Sequence, residues 1–231
     1  MKILIVSDSD GLGGANLAAY RLHKSIINNG IDSQMLVQNK IGDDYKVIGP
    51  KSNLRRHLIN PIRPAFDQIL MKINKAENMF STSYLPFSEI VRQINEINPD
   101  IVHLHWIAGG MLRIEDLKKI SIPIVWSLHD MWAFTGGCHY DRNCGLYKKN
   151  CGNCKTLGRK KENDLSRSVF NRKLKSYSQL DNLTIVALSR WIGKCAKRSS
   201  LLKNRKIINL PNPINTELFT PIDKSIARNI L

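Results

Sequence analysis

The chain has 231 residues, a hydrophobic fraction of 42% and a formal net charge of +16, with 35 Lys or Arg against 19 Asp or Glu. This length is enough to bury one large globular core, or one core followed by a fragment of a second. The apolar run at the start is too short for a signal peptide and no window reaches membrane-spanning length, so we predict a cytoplasmic protein. The basic excess attracts polyanions such as phosphorylated ligands, nucleic acid or an anionic membrane surface, although a solvated surface without a partner is also consistent with it.

The start of the chain is typical of a β-α-β unit. An apolar strand covers residues 2–7, a glycine turn covers residues 11–14, and a helix rich in Ala and Leu covers residues 15–27. A second strand follows at residues 33–38. Nearly unbroken apolar strands are typical of a parallel sheet that is buried on both faces.

Residues 51–80 interrupt this alternation. Pro61 and Pro64 split a helical region in which basic and apolar residues are closely interleaved. The basic residues are Arg55, Arg56, Arg63, Lys72 and Lys75, and the apolar ones are Leu54, Leu58, Ile59, Phe66, Ile69, Leu70 and Met71. This density suits a helix in a membrane interface, and it also suits a helix that packs on its own domain with a basic outer face.

The rest of the chain alternates between strands and helices. Strands are predicted at residues 101–104, 124–128, 183–188 and 206–210, and helices at residues 87–97, 114–119, 165–179 and 190–199. The pattern predicts an α/β fold with a doubly wound parallel sheet. A Pro-rich stretch at residues 211–222 then leads to a short helix that Asp223 would cap.

Two loops at strand ends carry small or acidic residues. Gly13 and Gly14 lie between the first strand and the first helix, where the backbone can approach an anionic ligand, although a simple tight turn gives the same pattern. Asp8 and Asp10 match an Asp-x-Asp cation motif, but such residues are more often turn and cap residues.

Histidines follow two other strands. His105, beside Trp106, is predicted to line a cleft, while His103 is satisfied in the core. His129 and Asp130 end the strand at residues 124–128, and we predict His129 to be a substrate-binding hydrogen-bonding group rather than a base. A pair that caps the loop is the alternative.

The segment 138–154 holds four cysteines, namely Cys138, Cys144, Cys151 and Cys154. Four thiolates at this spacing can close a tetrahedral structural zinc site, with His139 as a substitute for one of them. Disulfides or free thiols are the alternatives, and reduced thiols are usual in the cytosol. Cys195, alone in a predicted helix, is expected to be a core residue.

Five segments together resemble the amino-terminal half of family 4 (group 1) glycosyltransferases with the GT-B fold. They are residues 2–16, 100–106, 123–140, 186–202 and 209–221. The resemblance is closest to the exopolysaccharide and lipopolysaccharide branch, whose members carry a Cys-rich insertion after the His-Asp motif. It implies a Rossmann-like acceptor-side domain at residues 1–210 with the insertion at 138–154, an interdomain linker at 211–222, and the truncated start of a donor-binding domain at 223–231.

The resemblance also implies roles for individual residues. Gly13 and Gly14 would approach the donor diphosphate and sugar, and His129 would face the donor sugar at the reaction centre as the catalytic residue. Ser189 and Arg190 match a segment on the cleft side. Asn212 and Pro213 match the interdomain hinge.

The resulting expectation is a retaining glycosyltransferase that uses a nucleotide-sugar donor, a glycan or lipid-linked acceptor and no catalytic metal. His105 and Asp130 complete the expected substrate-binding set. Without the second domain we expect this polypeptide to be inactive or nearly so, and we expect its membrane contact to be peripheral, at the inner face of the plasma membrane. A zinc-stabilised nucleic-acid-binding protein and a noncatalytic acceptor-binding subunit are the alternatives; the former is disfavoured because no aromatic stacking platform accompanies the basic residues, so no nucleic-acid partner is expected.

Overall fold

A computed structural model describes residues 1–86, 88–158 and 161–230, and over these residues seven strands form one parallel sheet. The strands are β1 (Lys2–Ser9), β2 (Asp32–Asn39), β3 (Val47–Ile48), β4 (Ile101–Leu104), β5 (Ile124–Leu128), β6 (Leu183–Ala187) and β7 (Lys206–Asn209). The helices are α1 (Gly14–Asn28), α2 (Asn60–Ile73), α3 (Ile90–Ile97), α4 (Leu165–Tyr177), α5 (Arg190–Arg198) and α6 (Lys224–Ile230). The α/β prediction is confirmed.

The strand order in the sheet is β3-β2-β1-β4-β5-β6-β7. The chain therefore moves outward from β1 to β3, returns to the other side of β1, and moves outward again to β7. The order reverses between β1 and β4, and in open α/β sheets ligands bind at the carboxyl ends of the strands beside such a reversal.

Apolar side chains cover both faces of the sheet. Leu4 and Val6 of β1 point into the larger core, and the intervening Ile5 points into a second core with Ala19 of α1. This division explains why the strand carries no polar alternation, since each of its side chains is buried whichever way it points.

The region of the two prolines is a continuous helical stretch, in contrast to the predicted split. A π-helical turn at Arg55–Ile59 runs directly into α2. Pro61 lies in the first turn of α2, where its missing N–H costs little, and the wider turn before it accommodates Pro64.

Several other boundaries differ from prediction. β3 was not predicted, because two residues are too few to show a pattern. Residues Ile114–Lys119 form a 3-10 helix. The predicted helix at 87–97 begins at Ile90, and Phe87 lies outside the described residues, as do Arg159, Lys160 and Leu231 and the side chain of Arg56.

Candidate functional site

An open cleft of about 370 Å³ lies at the carboxyl ends of β1 and β4. Its lining comprises Asp8, Leu12, Gly13, Gly14, Ala15, Asn16, Met79 and Trp106. The backbone N–H of Asp8 donates to the carbonyl of Trp106 at 3.0 Å, which joins the two strand ends below the cleft. The cleft therefore occupies the position where doubly wound sheets place ligands.

The glycine turn presents bare backbone to this cleft. A Cβ added at Gly13 or Gly14 would meet no heavy atom within 4 Å. The first hydrogen bond of α1 runs from the Leu17 N–H to the Gly13 carbonyl, so the N–H groups of the preceding turn have no carbonyl in the helix to bond. These donors and the helix dipole favour an anion.

Two polar side chains near the turn hold it in place. Asn16 accepts a hydrogen bond from the Ser7 hydroxyl at 2.6 Å, and its amide donates to the Leu12 carbonyl. The carboxylate of Asp10 accepts the N–H groups of Ile41 and Gly42, at 2.8 Å and 3.0 Å. Asp10 thus makes the contacts of a capping residue, and Asn16 is a brace that the sequence analysis missed.

His105 and His129 meet at the ends of β4 and β5. His105 Nδ1 lies 2.9 Å from His129 Nε2, and His105 is 2% exposed. His105 thus lies behind His129, and it lines a small pocket together with Trp106, His129 and Asp130. His103 shares its face of the sheet and bonds the Ser127 hydroxyl at 2.9 Å, as expected of a satisfied core histidine.

Burial keeps these imidazoles neutral. It lowers the pKa of His129 to about 4, although the Asp130 carboxylate acts in the opposite direction. Burial, with smaller contributions from His103 and His129, holds the pKa of His105 well below its ordinary value. At neutral pH the His105–His129 contact is therefore a hydrogen bond between two uncharged rings.

Asp130 turns away from His129 and binds different partners. His139 Nδ1 lies 2.6 Å from Asp130 Oδ2, Trp106 donates to the same oxygen at 3.3 Å, and the Trp132 N–H donates to Oδ1 at 2.8 Å. Burial raises the pKa of Asp130, but these hydrogen bonds outweigh it and hold the pKa below its ordinary value. Asp130 therefore fixes the loop behind the cleft, which is the capping alternative of the sequence analysis.

His139 is part of this loop network. Its second ring nitrogen bonds the Ser81 hydroxyl at 3.0 Å, and Trp106 stacks on its ring. Both nitrogens are thus engaged, so His139 does not replace a cysteine as a metal ligand. No sequence signal paired His139 with Asp130, because eight residues of irregular loop separate them.

Ser189 and Arg190 are exposed where β6 passes into α5. The Ser189 hydroxyl accepts the Ile192 N–H at 3.2 Å and so caps α5. Leu128 of β5 pairs with Ala187 of the neighbouring strand β6. The Ser189 cap and His129 therefore lie at the same edge of the sheet, at the ends of adjacent strands.

The four cysteines of the insertion line one small cavity, together with Thr135, Gly136, Asp141, Leu146, Tyr147, Gly152 and Ser166. The Cys138 thiol donates to the Cys154 sulfur, and this bond lowers the pKa of Cys154 to about 6. Among the described residues, no group of three or more His, Cys, Asp or Glu side chains is placed so that it could hold a metal ion. Cys195 lies in α5 and packs against the core, as predicted.

The helical stretch 53–73 has an unusual distribution of side chains. Its buried residues are polar, namely Asn60, Arg63 and Asp67. Its outward face carries Leu54, Leu58, Ile62, Ile69 and Ile73, each between 53% and 60% exposed, and we call these five residues the outer stripe. The outer face was predicted to be basic, and it is apolar with basic flanks. No helix in the described part of the chain is long and apolar enough to cross a bilayer.

Two known proteins are similar to the chain. Over 81 residues it is 30% identical to the "Putative colanic acid biosynthesis glycosyl transferase WcaC" of Escherichia coli (strain K12), an alignment that covers 31% of this chain and 20% of that protein. The structure of sucrose-phosphate synthase from Thermosynechococcus elongatus superposes with a TM-score of 0.53 at 12% identity, over 100% of this chain and 52% of that one. The chain thus spans about half of the solved protein and a fifth of the curated one. At 12% identity the structural likeness shows the fold alone.

The match to a whole family is more extensive. The model of the family described as Glycosyltransferase Family 4 matches residues 12–218, which include the glycine turn, the His-Asp motif, the cysteine insertion and the start of α5. The chain therefore belongs to Glycosyltransferase Family 4.

Proposed function

We propose that this domain forms the acceptor-side wall of the cleft of a retaining glycosyltransferase, which moves a sugar from a nucleotide-sugar donor to a glycan or lipid-linked acceptor in cell-surface polysaccharide synthesis. The observation that carries the proposal is the start of α1, where bare glycine backbone and a helix N-terminus without a side-chain cap border an open cleft. The diphosphate of a nucleotide sugar is the anion that suits them. The reference to colanic acid biosynthesis in the name of the E. coli relative supports a polysaccharide product.

Charge develops on the leaving diphosphate as the glycosidic bond breaks. The helix start at Gly13 and Gly14 would stabilise this charge without a catalytic metal, because its N–H dipoles are already oriented before the reaction. Arg190, at the start of α5, would add positive charge at the same edge of the sheet.

His129 would position the donor sugar as a neutral hydrogen-bond donor. Within the described part of the chain, the Nε2 atom of His105 is buried and has no hydrogen-bond partner. An unpaired acceptor at this position costs less free energy than an unpaired N–H donor. We therefore assign the shared proton to His105 Nδ1, which makes His129 Nε2 the acceptor and leaves the Nδ1–H of His129 for a sugar hydroxyl. On this assignment His105 acts through His129 as a positioning residue.

We propose that the nucleotide itself is bound by a second domain, since the chain spans 52% of the solved relative. Purified alone, the 231-residue chain is then expected to show no sugar transfer. Turnover of UDP- or GDP-sugars by this chain would contradict the proposal.

Gly14→Ala tests the donor cleft. The added methyl meets no protein atom and improves helix propensity, so the thermal midpoint should not fall. In the longest natural polypeptide that contains this domain, we expect kcat/KM for the nucleotide sugar to fall at least about tenfold, because the methyl occupies the space of the diphosphate. His129→Ala should lower kcat about a hundredfold, by removal of the oriented N–H donor.

Ser25→Ala, on the same helix but outside the cleft lining, is the matched control and should leave both constants unchanged. Unchanged kcat/KM in Gly14→Ala would place the donor elsewhere. A loss in Gly14→Ala that is accompanied by a lower thermal midpoint would indicate a folding defect and would also count against the proposal.

We further propose that the outer stripe binds an anionic membrane surface and so brings the cleft to a lipid-linked acceptor. The five apolar residues of the outer stripe are exposed, while three polar side chains of α2 are buried. The exposed Lys72 and Lys75 flank it and complement anionic headgroups. This arrangement supports a peripheral location at the inner face of the plasma membrane.

Vesicle sedimentation tests this surface. Ile62→Gln/Ile69→Gln should weaken binding to vesicles of phosphatidylcholine and phosphatidylglycerol at least about tenfold, because two large apolar side chains no longer enter the lipid. Ile41→Gln/Ile214→Gln changes two equally exposed isoleucines outside the helix and should bind like wild type.

Binding that is insensitive to salt and to the phosphatidylglycerol fraction would overturn the membrane proposal. So would a lipid-free dimer that dissociates in the Ile62→Gln/Ile69→Gln variant, because the stripe would then serve a second copy of the chain.

A further inference from the structure

We infer that Cys138, Cys144, Cys151 and Cys154 bind a structural zinc ion. Their side chains come from three separate stretches of the insertion and still line the same cavity. Three of the four are buried and Cys144 is half-buried. Four convergent thiolates provide the complete ligand set of a closed tetrahedral site.

The backbone around the sulfurs is arranged to donate to them. The Leu146 N–H donates to Cys144, the Gly136 N–H donates to Cys151 at 3.2 Å, and the N–H groups of Thr156 and Leu157 donate to Cys154. Such N–H···S bonds stabilise sulfur as thiolate, the form that binds metal.

Left-handed residues make the turns that aim these donors. Gly145, which follows Cys144, has φ +68°, and Asn153, inside the Cys151–Cys154 pair, has φ +47°. Glycine adopts this conformation freely, whereas Asn153 is one of the few non-glycine residues that do so, in the turn between Cys151 and Cys154.

A buried lysine lies beside the site. Lys173 is fully buried, its side-chain nitrogen lies 3.9 Å from the centre of the Trp132 ring, and it donates to the carbonyls of Trp132 and Thr135. Zinc with four thiolates would have a net charge of about −2, and a protonated Lys173 would offset part of it.

A disulfide explains fewer of these features than a zinc ion does. The closest pair, Cys138 and Cys154, would be neutral once joined and would leave Cys144 and Cys151 unused. Zinc would engage all four sulfurs at about 2.3 Å from the ion, and the cysteine side chains would have to move inward to reach it, since no group of three in the described part of the chain is placed to hold a metal as it stands.

The experiment is metal analysis of the purified protein after exhaustive dialysis. We expect about one zinc per chain in wild type, and visible absorption typical of tetrahedral cobalt thiolate after exchange with Co²⁺. Cys144→Ser and Cys151→Ser should each lose the metal. Cys195→Ser is the matched control, since this cysteine lies outside the cavity, and it should retain zinc.

If the serine variants fail to fold, thiol titration of the wild-type protein tests the zinc inference instead. Chelation should release zinc and expose four further thiols together, independently of Cys195. Metal-free protein whose thiols react freely would overturn the inference, and so would a mass two hydrogens lower that marks a disulfide.

Discussion

His129 and Asp130 are neighbours in sequence that serve different structures. His129 contacts His105 at the ends of β4 and β5, whereas Asp130 holds His139, Trp106 and the Trp132 N–H in the loop beyond β5. Consecutive residues at a strand end point in opposite directions, so one residue of the motif joins the histidine pair and the other supports the loop.

Asp130→Asn tests the support role. The amide keeps the size of the side chain but loses the charge that the His139 ring approaches, and a charged hydrogen bond contributes about 1.5–3 kcal/mol. We expect the free energy of unfolding, measured with urea, to fall by about 2 kcal/mol. The exposed Asp43→Asn should be neutral. Equal stabilities for the two variants would show that the network contributes little.

Only those residues of the candidate site that follow a strand or form a turn could be predicted from the sequence. Gly13, Gly14 and His129 follow apolar strands, and the parallel topology brings such residues to one edge. Asn16 and His139 could not be found in this way, because their partners are set by the path of loops rather than by a repeating pattern.

At the scale of elements, α2 shows where pattern reasoning fails. Its apolar residues predict a buried face, and the structure buries Asn60, Arg63 and Asp67 instead. Burial of these groups is tolerated because each finds partners: Arg63 donates to the carbonyls of Gly110, Pro86 and Leu85, and Asp67 accepts the Thr82 N–H at 3.0 Å. Such long-range partners leave no trace in local periodicity.

Arg63→Ala should therefore be far more damaging than the loss of a surface charge. It leaves three buried or half-buried carbonyls without a donor, for which we expect a loss of about 3 kcal/mol in the free energy of unfolding. Lys72→Ala, on the exposed side of the same helix, should change it by less than about 0.5 kcal/mol. A small effect of Arg63→Ala in urea denaturation would contradict this account of how the helix is held.

At the scale of the whole molecule, the fold was predictable because the sequence alternates strands and helices and its strands are apolar throughout. The order of the strands was not, since the sequence does not record that β4 pairs with β1 on the side opposite β2. That pairing places Trp106 beside the glycine turn and creates the cleft.

Buried histidines on both faces of the sheet make stability depend on pH. Burial lowers the pKa values of His23, His103 and His129 from 6.5 to about 4. Between these values the unfolded chain takes up protons that the native state excludes, so stability should fall as pH decreases from 6.5 to 4 and should not depend on these groups above that range.

His23→Gln checks this linkage away from the cleft. Removal of one such group should reduce the slope of the free energy of unfolding by up to about 1.4 kcal/mol per pH unit in that interval. Urea denaturation of both proteins at neutral and acidic pH gives the two slopes. Parallel curves would show that His23 does not couple folding to protons.

The burial of polar rather than apolar side chains on α2 affects how the protein would move between water and a membrane surface. Because α2 is held to its domain by hydrogen bonds of Arg63 and Asp67, the outer stripe does not have to pack against the domain. Its five side chains are exposed, without any partner surface among the described residues. Attachment and release would then proceed without any refolding step, and residence time on a surface would be set by the stripe alone, independently of the conformational stability of the domain.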